Sequence, residues 1–251
     1  MKFIGIIPAR FKSTRFPGKP LAMLRNKPVI QWVYENASKV LNEVWVATDD
    51  DSIYNAVHNF GGRSIKTLPT HHSGTDRCAE AAQQLSLSAE FDVVINIQGD
   101  EPFISPEQIT ALATSFDNDT EIATLIKKIE TTEELFNPNR PKVVIDKNNN
   151  ALYFSRSSIP FVRGEKEGNW LLAAKFWVHI GMYAYKKDIL QQITRLEPGI
   201  LERAETLEQL RWLENGYKIK TAVTEFQSIG IDTPEDLVKA EEMLKESGLN
   251  N

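Results

Sequence analysis

The chain has 251 residues, of which 41% are hydrophobic, 25% charged and 9% aromatic, and its formal net charge is −5. This is the composition of a soluble globular protein, and it excludes disordered, collagenous and coiled-coil chains. The acidic balance also argues against bulk binding to nucleic acid or to a membrane surface, because counterion release at phosphates requires a basic protein surface. We therefore expect neither nucleic acid nor a membrane as a partner.

The cysteine content and the apolar runs indicate the compartment. The single cysteine, Cys78, cannot form a disulfide within the chain and is typical of a reducing environment. The first apolar stretch, Phe3 to Ile7, is too short and too soon followed by Pro8 and Arg10 for a signal peptide. No other run approaches the roughly 18 apolar residues of a membrane span. We expect a cytoplasmic protein.

Short β-branched runs alternate with segments of helical period over the first hundred residues. In chain order they predict a strand at Phe3–Ile7, a helix at Pro28–Val40, a strand at Glu43–Ala47, a helix at Ser52–Phe60, a strand at Ser64–Thr67, a helix at Thr75–Leu85 and a strand at Val93–Ile97. This alternation predicts an α/β fold with a doubly wound, mostly parallel sheet. The ligand site of such a sheet lies at the carboxyl ends of its strands, where charged loops occur at 8–19, 48–51 and 98–102.

The pattern changes after Asp119. It predicts strands at Ile122–Lys128, Lys142–Asp146, Ala151–Ser155 and Val178–Tyr185, a turn at 148–150, a helix at Thr206–Glu214, a strand at Tyr217–Thr224 and a last helix that opens at Asp232–Asp236. We interpret the chain as one domain, 1–251, that carries an antiparallel insertion at roughly 120–200.

The loop after the first strand carries three cations, Arg10, Arg15 and Lys19, beside a Pro17-Gly18 turn. This combination suits a polyphosphate that backbone N–H groups also cradle. The Walker spacing and the GxGxxG spacing of dinucleotide binding are both absent. A solvated basic loop is the alternative.

Two acidic residues follow predicted strands in a Gly-Asp or Gly-x-Asp arrangement. Asp100 comes directly after Gly99, and Asp232 follows Gly230. Carboxylates at the sheet edge are suited to holding Mg²⁺ against a phosphate. The alternatives are a turn acid for Asp100 and a helix cap for Asp232.

The four histidines show no metal-site spacing. We expect His71 and His72 to face solvent from a polar loop, and His58 to lie on a helix surface. His179 lies on an apolar strand, where a polar ring needs a partner, and a hydrogen-bonded core histidine is the plain interpretation. The aromatic cluster of Trp170, Phe176 and Trp177 predicts packing within the insertion or at a subunit interface.

Several motifs together resemble the 3-deoxy-manno-octulosonate cytidylyltransferase family, the CMP-Kdo synthetases. They are the loop from Pro8 to Leu21, Val46–Asp49, Ser73–Arg77, Gln98–Pro102, Ala151–Arg156, Leu207–Arg211 and Asp232–Asp236, and they run along essentially the whole chain in the family's order. CMP-sialate synthetases share the Pro-Ala-Arg start but lack the continuation of this loop.

The resemblance implies a nucleotide-diphospho-sugar transferase-like fold and a homodimer whose insertion supplies the contact and part of the sugar site. It also implies an Mg²⁺-dependent transfer of CMP from CTP to 3-deoxy-D-manno-octulosonate (Kdo), which yields CMP-Kdo and pyrophosphate for lipopolysaccharide synthesis. Sequence leaves two rivals: a cytidylyltransferase for a neighbouring sugar acid, such as an amino-substituted Kdo or a sialic acid, and a catalytically idle nucleotide-binding protein on the same fold.

The resemblance also assigns site residues by matched motif. The residues implied in catalysis are Arg10, Lys19, Asp100 and Asp232, of which Asp100 and Asp232 bind the metal. CTP would be held by Pro8, Ala9, Arg10, Ser13, Arg15, Lys19, Ser73, Arg77, Gln98 and Asp100. The sugar would meet Gln98, Arg156, His179, Tyr183, Glu208 and Gln209, with Arg156 on its carboxylate. The segment Arg163 to Lys175 does not align with the family pattern.

Overall fold

A computed structural model describes residues 1–12, 15–226 and 230–246 of the chain. Its strands are β1 (Phe3–Ala9), β2 (Met23–Leu24), β3 (Lys27–Pro28), β4 (Val44–Thr48), β5 (Ser64–Lys66), β6 (Val93–Asn96), β7 (Ile122–Lys128), β8 (Lys142–Ile145), β9 (Ala151–Ser155), β10 (Trp177–Lys186) and β11 (Ile219–Val223). Its α-helices are α1 (Val29–Ser38), α2 (Asp51–Asn59), α3 (Gly74–Leu85), α4 (Pro106–Thr114), α5 (Thr132–Phe136), α6 (Trp170–Ala173), α7 (Lys187–Ile193), α8 (Ile200–Glu205), α9 (Gln209–Glu214) and α10 (Pro234–Glu246).

The chain forms two compact units, which we call the first unit (Met1–Ile109 with Ser228–Asn251) and the second unit (Thr110–Gln227). The expectation of one domain with an insertion at roughly 120–200 stays a prediction. No helix in the described part of the chain is both long and apolar enough to cross a membrane.

The first unit contains the predicted parallel sheet. Strand β1 pairs in parallel with both β4 and β6, and β5 adds in parallel to β4. These strands are nearly continuous apolar runs because helices cover both faces of such a sheet. Since parallel strands end at the same edge, the loops that follow Ala9, Thr48 and Asn96 leave from one side of the sheet.

A small apolar cluster fixes the last segment of the chain to the first loop region. Ile231 and the helix residues Ala240 and Leu244 pack with Leu24 and Val29, and all five are buried. The backbone N–H of Ile231 also donates to the carbonyl of Asp100 at 2.8 Å. These contacts place Asp232 beside Asp100, although 132 positions separate them in the sequence.

The second unit is mainly antiparallel, as predicted. Strand β10 pairs in antiparallel fashion with β7 and β8, and β8 does so with β9, whereas β11 runs parallel to β7. The predicted turn between β8 and β9 is present. It is organised by Asp146, whose Oδ1 accepts from the N–H groups of Asn148 and Asn150, each at 2.8 Å.

A bulge interrupts β10. His179 pairs with Ile126 and Ile180 with Leu125, but the next paired residue is Tyr183, opposite Thr124. The register with β7 skips Gly181 and Met182, and the strand bends at this point. In a regular strand His179 and Tyr183 would stand about 13 Å apart, but here their ring centroids are 5.3 Å apart.

One predicted helix has the wrong start, and several helices of the structure were not predicted. The helix predicted at Thr206–Glu214 begins only at Gln209, because Thr206 ends α8 in the left-handed region, with φ 53°. A residue in that conformation cannot continue a right-handed helix. Helices α4 to α8 were not predicted, and four of these five have seven residues or fewer, which is too short for a clear apolar period.

Candidate active site

A polar cavity of about 360 Å³ opens in the first unit. Its lining combines the first loop, the segment that enters α3, the loop after β6 and the start of the last segment. The lining residues are Pro8, Ala9, Arg10, Arg15, Lys19, Pro20, His71, His72, Ser73, Gly74, Arg77, Gln98, Gly99, Asp100 and Asp232. The structure therefore brings together every predicted CTP-binding and metal-binding residue except Ser13, which lies outside the described residues.

Gly18 sets the direction of Lys19. Gly18 has φ 73°, a left-handed conformation that favours glycine, and its N–H donates to the carbonyl of Phe11 at 2.9 Å. The short 3₁₀ turn Lys19–Leu21 starts directly afterwards. This closed loop holds the base of Lys19, whose side chain is only 12% exposed.

The ammonium group of Lys19 joins the two predicted metal ligands. Its Nζ lies 2.6 Å from Oδ2 of Asp100 and 3.1 Å from Oδ1 of Asp232. Nη2 of Arg15 lies 3.1 Å from the other oxygen of Asp232. Two carboxylates and two cations thus alternate in the lining of the cavity, where Arg10 is exposed.

The capping explanation for Asp232 does not hold for its side chain. The first turn of α10 is capped by Thr233, whose Oγ1 accepts from the N–H of Asp236 at 3.3 Å. Oδ2 of Asp236 in turn accepts from the N–H groups of Thr233 and Asp232 at 3.0 and 3.2 Å. This is a capping box. It leaves the carboxylate of Asp232 to the cations of the first loop.

Gly99 lies where two segments of the chain approach closely. A Cβ at Gly99 would lie 2.9 Å from the carbonyl oxygen of Pro8 and 3.4 Å from Cγ2 of Ile7. Glycine is required here because the loop after β6 passes directly against the end of β1.

The start of α3 also lines the cavity. Ser73 caps this helix: its Oγ accepts from the N–H of Asp76, and Asp76 accepts from the N–H of Ser73, both at 3.1 Å. Arg77 follows on the first turn and is buried. Its guanidinium donates to Oγ1 of Thr67 at 2.5 Å and lies 2.9 Å from Oδ1 of Asp49. Arg77 therefore lines the cavity in a fixed position and is already paired with Asp49 and Thr67.

The expectation for His71 was wrong. We predicted that His71 and His72 face solvent, but both line the cavity. His72 is exposed there, whereas His71 is only partly exposed and its Nε2 hydrogen-bonds to Oε2 of Glu80. Two adjacent histidines in a polar loop gave no signal of this, because Glu80 lies two turns into α3. His58 is exposed on α2, as expected.

The predicted sugar-binding residues other than Gln98 lie in the second unit, and the bulge in β10 organises the first of them. Thr124 of β7 lies 3.0 Å from Nε2 of His179 and donates to the carbonyl of Met182 at 2.8 Å. Since a hydroxyl has one proton, the oxygen of Thr124 accepts from the Nε2–H of a neutral His179. Burial lowers the pKa of His179 from 6.5 to about 3, so the ring is neutral at physiological pH.

Tyr183 is buried on the same face of the bulge. Burial raises the pKa of its hydroxyl well above 10, and the charge of Glu208 raises it further. Its ring packs edge-on against Trp212, with centroids 5.1 Å apart. Thr124 lies near this hydroxyl, but the pair does not reach hydrogen-bonding geometry in the described structure. Packing of the ring, and not a hydrogen bond of the hydroxyl, therefore holds Tyr183 in place.

Gln209 begins α9 beside these rings and is 5% exposed. Among the described residues its Nε2 makes no hydrogen bond although it is buried. An unpaired buried donor costs about 1–3 kcal/mol, so such a group usually has a partner that is a ligand or water.

Arg156 is held by three backbone carbonyls. Its Nε donates to the carbonyl of Glu205 at 2.7 Å, and its two Nη atoms donate to the carbonyls of Pro138 and Thr206 at 3.1 and 3.2 Å. Three of the five guanidinium N–H donors are thus used by backbone. The left-handed Thr206 turns its carbonyl toward this group. Arg156 has two donors left for a carboxylate.

Sequence reasoning missed the groups that hold Arg156 in place. The carboxylate of Glu205 accepts from the hydroxyl of Ser155 at 2.7 Å and from the N–H of Arg156 at 2.9 Å. Lys142 is fully buried and donates to the carbonyls of Asn137 and Arg156 at 2.9 and 2.6 Å. Burial lowers the pKa of Lys142. A lysine at the start of β8, directly before its apolar run, was the available signal.

Comparison with known proteins identifies the family. The sequence model of the family described as cytidylyltransferase matches residues 4–219. The 3-deoxy-manno-octulosonate cytidylyltransferase of Parabacteroides distasonis is 58% identical over 96% of this chain and 97% of its own, and that of Cytophaga hutchinsonii is 56% identical over 95% and 96%. The chain belongs to the 3-deoxy-manno-octulosonate cytidylyltransferase family.

A solved structure supports the same assignment. CMP:2-keto-3-deoxy-manno-octonic acid synthetase, in complex with CTP, is 40% identical to this chain, covers 98% of it and 100% of its own length, and has a TM-score of 0.90. The mostly parallel α/β fold expected for the family is thereby confirmed, and so is the resemblance to the family.

Proposed function

We propose that this protein transfers CMP from CTP to Kdo, forming CMP-Kdo and pyrophosphate. The observation that carries the proposal is the cavity of the first unit, which is lined by the linked side chains of Lys19, Asp100 and Asp232 and by the start of α3. A relative of the same fold was solved with CTP bound. In this family the product supplies lipopolysaccharide synthesis, and we place the reaction in the cytoplasm.

The cations of the first loop take the triphosphate. Arg10 and Lys19 hold the phosphates, and Arg15, with Ser13 from the same loop, assists them. Charge-assisted hydrogen bonds to phosphate are roughly twice as strong as neutral ones, so a cluster of cations favours the most charged part of CTP. The backbone of Pro8 and Ala9, together with Ser73, Arg77 and Gln98, surrounds the base and ribose.

The metal would be Mg²⁺, held by Asp100 and Asp232. The donor set fits, because two carboxylates already converge on one ammonium cation, and Mg²⁺ in proteins commonly takes one or two carboxylates with phosphate oxygens and water as its other ligands. No group of three or more His, Cys, Asp or Glu side chains in residues 1–12, 15–226 and 230–246 is placed to hold an ion alone. When bound, the ion would neutralise phosphate charge.

Of the residues that the family resemblance assigns to Kdo, all except Gln98 belong to the second unit. Arg156 has two N–H donors for the sugar carboxylate, and an Arg fork matches that group. The Nδ1 of His179 is an acceptor, because its Nε2–H is used by Thr124. Tyr183, Glu208 and Gln209 add a neutral phenol, a carboxylate and an amide for the hydroxyl groups.

The reaction itself requires positioning and charge neutralisation. The anomeric hydroxyl of Kdo attacks the α-phosphorus in line and loses its proton to solvent, the bond from the α-phosphorus to the oxygen shared with the β-phosphorus breaks, and pyrophosphate leaves with that oxygen. Lys19 and Arg10 stabilise the charge that gathers on the departing phosphates. Arg156 orients the attacking hydroxyl through the neighbouring carboxylate. A covalent intermediate on the protein is not needed.

The test is pyrophosphate release from CTP with a panel of sugar acids: Kdo, an amino-substituted Kdo and a sialic acid. We expect release with Kdo at the highest kcat/KM, and only in the presence of Mg²⁺. Preference for another sugar acid would assign the neighbouring activity, and release with none of them would favour an idle nucleotide-binding protein.

We also propose a homodimer formed through the second unit. Trp170 is buried and stacks on Phe176 at 6.1 Å, so it belongs to the core of this unit. The exposed apolar side chains nearby are Phe161, at 75%, and Leu172, at 88%. Sedimentation of Leu172→Lys would test the contact: we expect a monomer where the unmodified protein sediments as a dimer.

A further inference from the structure

We propose that His71, held by Glu80, selects cytosine over uracil at the base end of the cavity. This inference rests on the proposed use of CTP and adds a specificity-determining residue to it. His71 had no predicted role, and its place in the cavity lining and its bond to Glu80 are what point to one.

Glu80 is a fixed and ionised partner. Besides His71, its carboxylate accepts from the N–H of Leu68 and from Nε2 of Gln84, at 2.8 and 2.9 Å. Burial acts to raise the pKa of Glu80, but the hydrogen bonds from Leu68 and His71 outweigh it, and the pKa is lowered. The carboxylate therefore stays charged and only accepts hydrogen bonds.

This partner fixes the tautomer of His71. The carboxylate of Glu80 faces Nε2 and can only accept a hydrogen bond, so Nε2 must carry the proton. In the neutral ring Nδ1 then has a free lone pair. In the described part of the chain no hydrogen bond to Nδ1 is formed. Because the ring lines the cavity and its Nε2 edge is turned to Glu80, the Nδ1 edge is the one left for a ligand.

The charges around His71 favour an uncharged group over a phosphate. The N-terminus of α3 already holds the carboxylate of Asp76 on the N–H of Ser73. Arg77 is paired with Asp49. With Glu80 close by, this end of the cavity repels further negative charge, whereas the cations of the first loop attract it. The triphosphate thus belongs with Lys19 and the base with His71.

The lone pair of Nδ1 distinguishes the two pyrimidines. Cytosine carries an amino group at C4, which donates a hydrogen bond, and uracil carries a carbonyl there, which only accepts. The amino group of cytosine would donate to Nδ1, whereas the uracil oxygen would face the lone pair. A ligand that leaves a buried polar group of the site unpaired is rejected, and here that ligand is UTP.

Calorimetric binding of CTP and of UTP tests the proposal without requiring turnover. We expect His71→Phe, which keeps a ring but removes both nitrogens, to reduce the CTP over UTP affinity ratio by about tenfold, the scale of one lost hydrogen bond with its unpaired partner. Glu80→Gln should reduce the ratio as well, because an amide no longer fixes the tautomer. His58→Phe, on the exposed surface of α2, is the matched control and should leave the ratio within about twofold.

A purely structural His71 would give a different result. Its loss would weaken CTP and UTP equally, and an unchanged ratio in His71→Phe would overturn the proposal. A variant that prefers CTP more strongly would also overturn it, since that outcome means a protonated Nδ1 that donates. If His71→Phe does not fold, the comparison rests on Glu80→Gln and on His71→Asn. Failure of the proposed function would give a different result from failure of the His71 proposal. The unmodified protein would then bind CTP but release no pyrophosphate with Kdo.

Discussion

The cavity of the first unit and the cluster around the β10 bulge of the second unit differ in charge and exposure. In the cavity, Lys19 and Arg15 are paired with Asp100 and Asp232, and the groups are partly exposed. Around the bulge, His179 and Tyr183 are neutral and shielded by aromatic rings. The first arrangement suits a highly charged ligand, and the second suits a ligand recognised through hydroxyl groups.

This difference has an energetic reason. A triphosphate arrives with several charges, and exchange of one ion pair for another in an open cavity costs little desolvation. Hydroxyl groups offer weak hydrogen bonds that compete with water, so they are recognised best by buried donors and acceptors that have no other partner. The buried Nε2 of Gln209, which makes no hydrogen bond among the described residues, fits that second requirement.

The largest effect is expected from the paired carboxylates. Asp100→Asn or Asp232→Asn keeps the shape of the side chain but removes the charge that a metal requires, so kcat should fall by roughly a hundredfold or more. Steady-state pyrophosphate release with Mg²⁺ is the measurement. Asp236→Asn is the matched control, since Asp236 caps the same segment without facing Lys19: it should lower stability and keep kcat. Near-normal turnover in Asp232→Asn would mean that Asp232 only pairs with cations.

Arg156 tests whether the second unit reads the sugar carboxylate. We expect Arg156→Ala to lower kcat/KM for Kdo by the roughly 1.5–3 kcal/mol of charged hydrogen bonds, and Arg156→Lys to be impaired already because it loses the fork. The dissociation constant of CTP, measured without sugar, should hardly change. The three bonds to backbone carbonyls add a second expectation, a lower melting temperature in both variants.

The Arg156 measurement separates two roles. Arg140→Ala, which removes an ion pair with Glu134 in the same unit, is the control for a general loss of stability. If Arg156→Lys melts early but has normal kinetics with Kdo, Arg156 only supports the turn at Thr206, and the carboxylate assignment is wrong.

The neutral state of His179 predicts a pH dependence of stability. Its folded pKa of about 3 lies below the unfolded value of 6.5. The unfolded chain therefore binds the proton first, and the stabilisation is complete above pH 6.5 and is lost as the pH falls toward 3. Between pH 7.5 and 5 the loss should be about 2 kcal/mol. Urea unfolding at both pH values should show it in the unmodified protein and in His58→Gln, but not in His179→Gln.

The sequence predicted the charged cavity well and the neutral cluster poorly, for a physical reason. Loop cations and acids at strand ends leave a local signal, because a parallel sheet gathers the ends of its strands at one edge. His179 and Tyr183 approach only through the bulge in β10, and a bulge has no reliable local pattern. Family resemblance named both residues, but periodicity alone would have placed them far apart.

Pairings between distant segments escaped the sequence for the same reason. The bond from His71 to Glu80 spans nine positions, and the bonds from Arg156 to Glu205 and Thr206 span about fifty. A predicted helix through Thr206 also concealed the left-handed residue that turns its carbonyl to Arg156. Tertiary packing decides such contacts, and local propensity does not contain them.

The smallest effect is expected from Lys19, and it tests the exchange of ion pairs in the cavity. In Lys19→Ala the triphosphate loses one charge-assisted bond, so the Kd of CTP should rise by about tenfold, or about 1.4 kcal/mol. The loss is limited because Arg10 and Arg15 remain. In addition, CTP binding to the unmodified protein must break the ion pairs of Lys19 with Asp100 and Asp232, and the variant has no such pairs to break. The KM for Kdo should stay within about twofold.

Lys12→Ala is the matched control. It removes an exposed lysine of the same loop and should leave both constants unchanged. A change confined to the KM for Kdo would refute the phosphate role, and equal losses for CTP in both variants would show that the loop acts through its net charge alone.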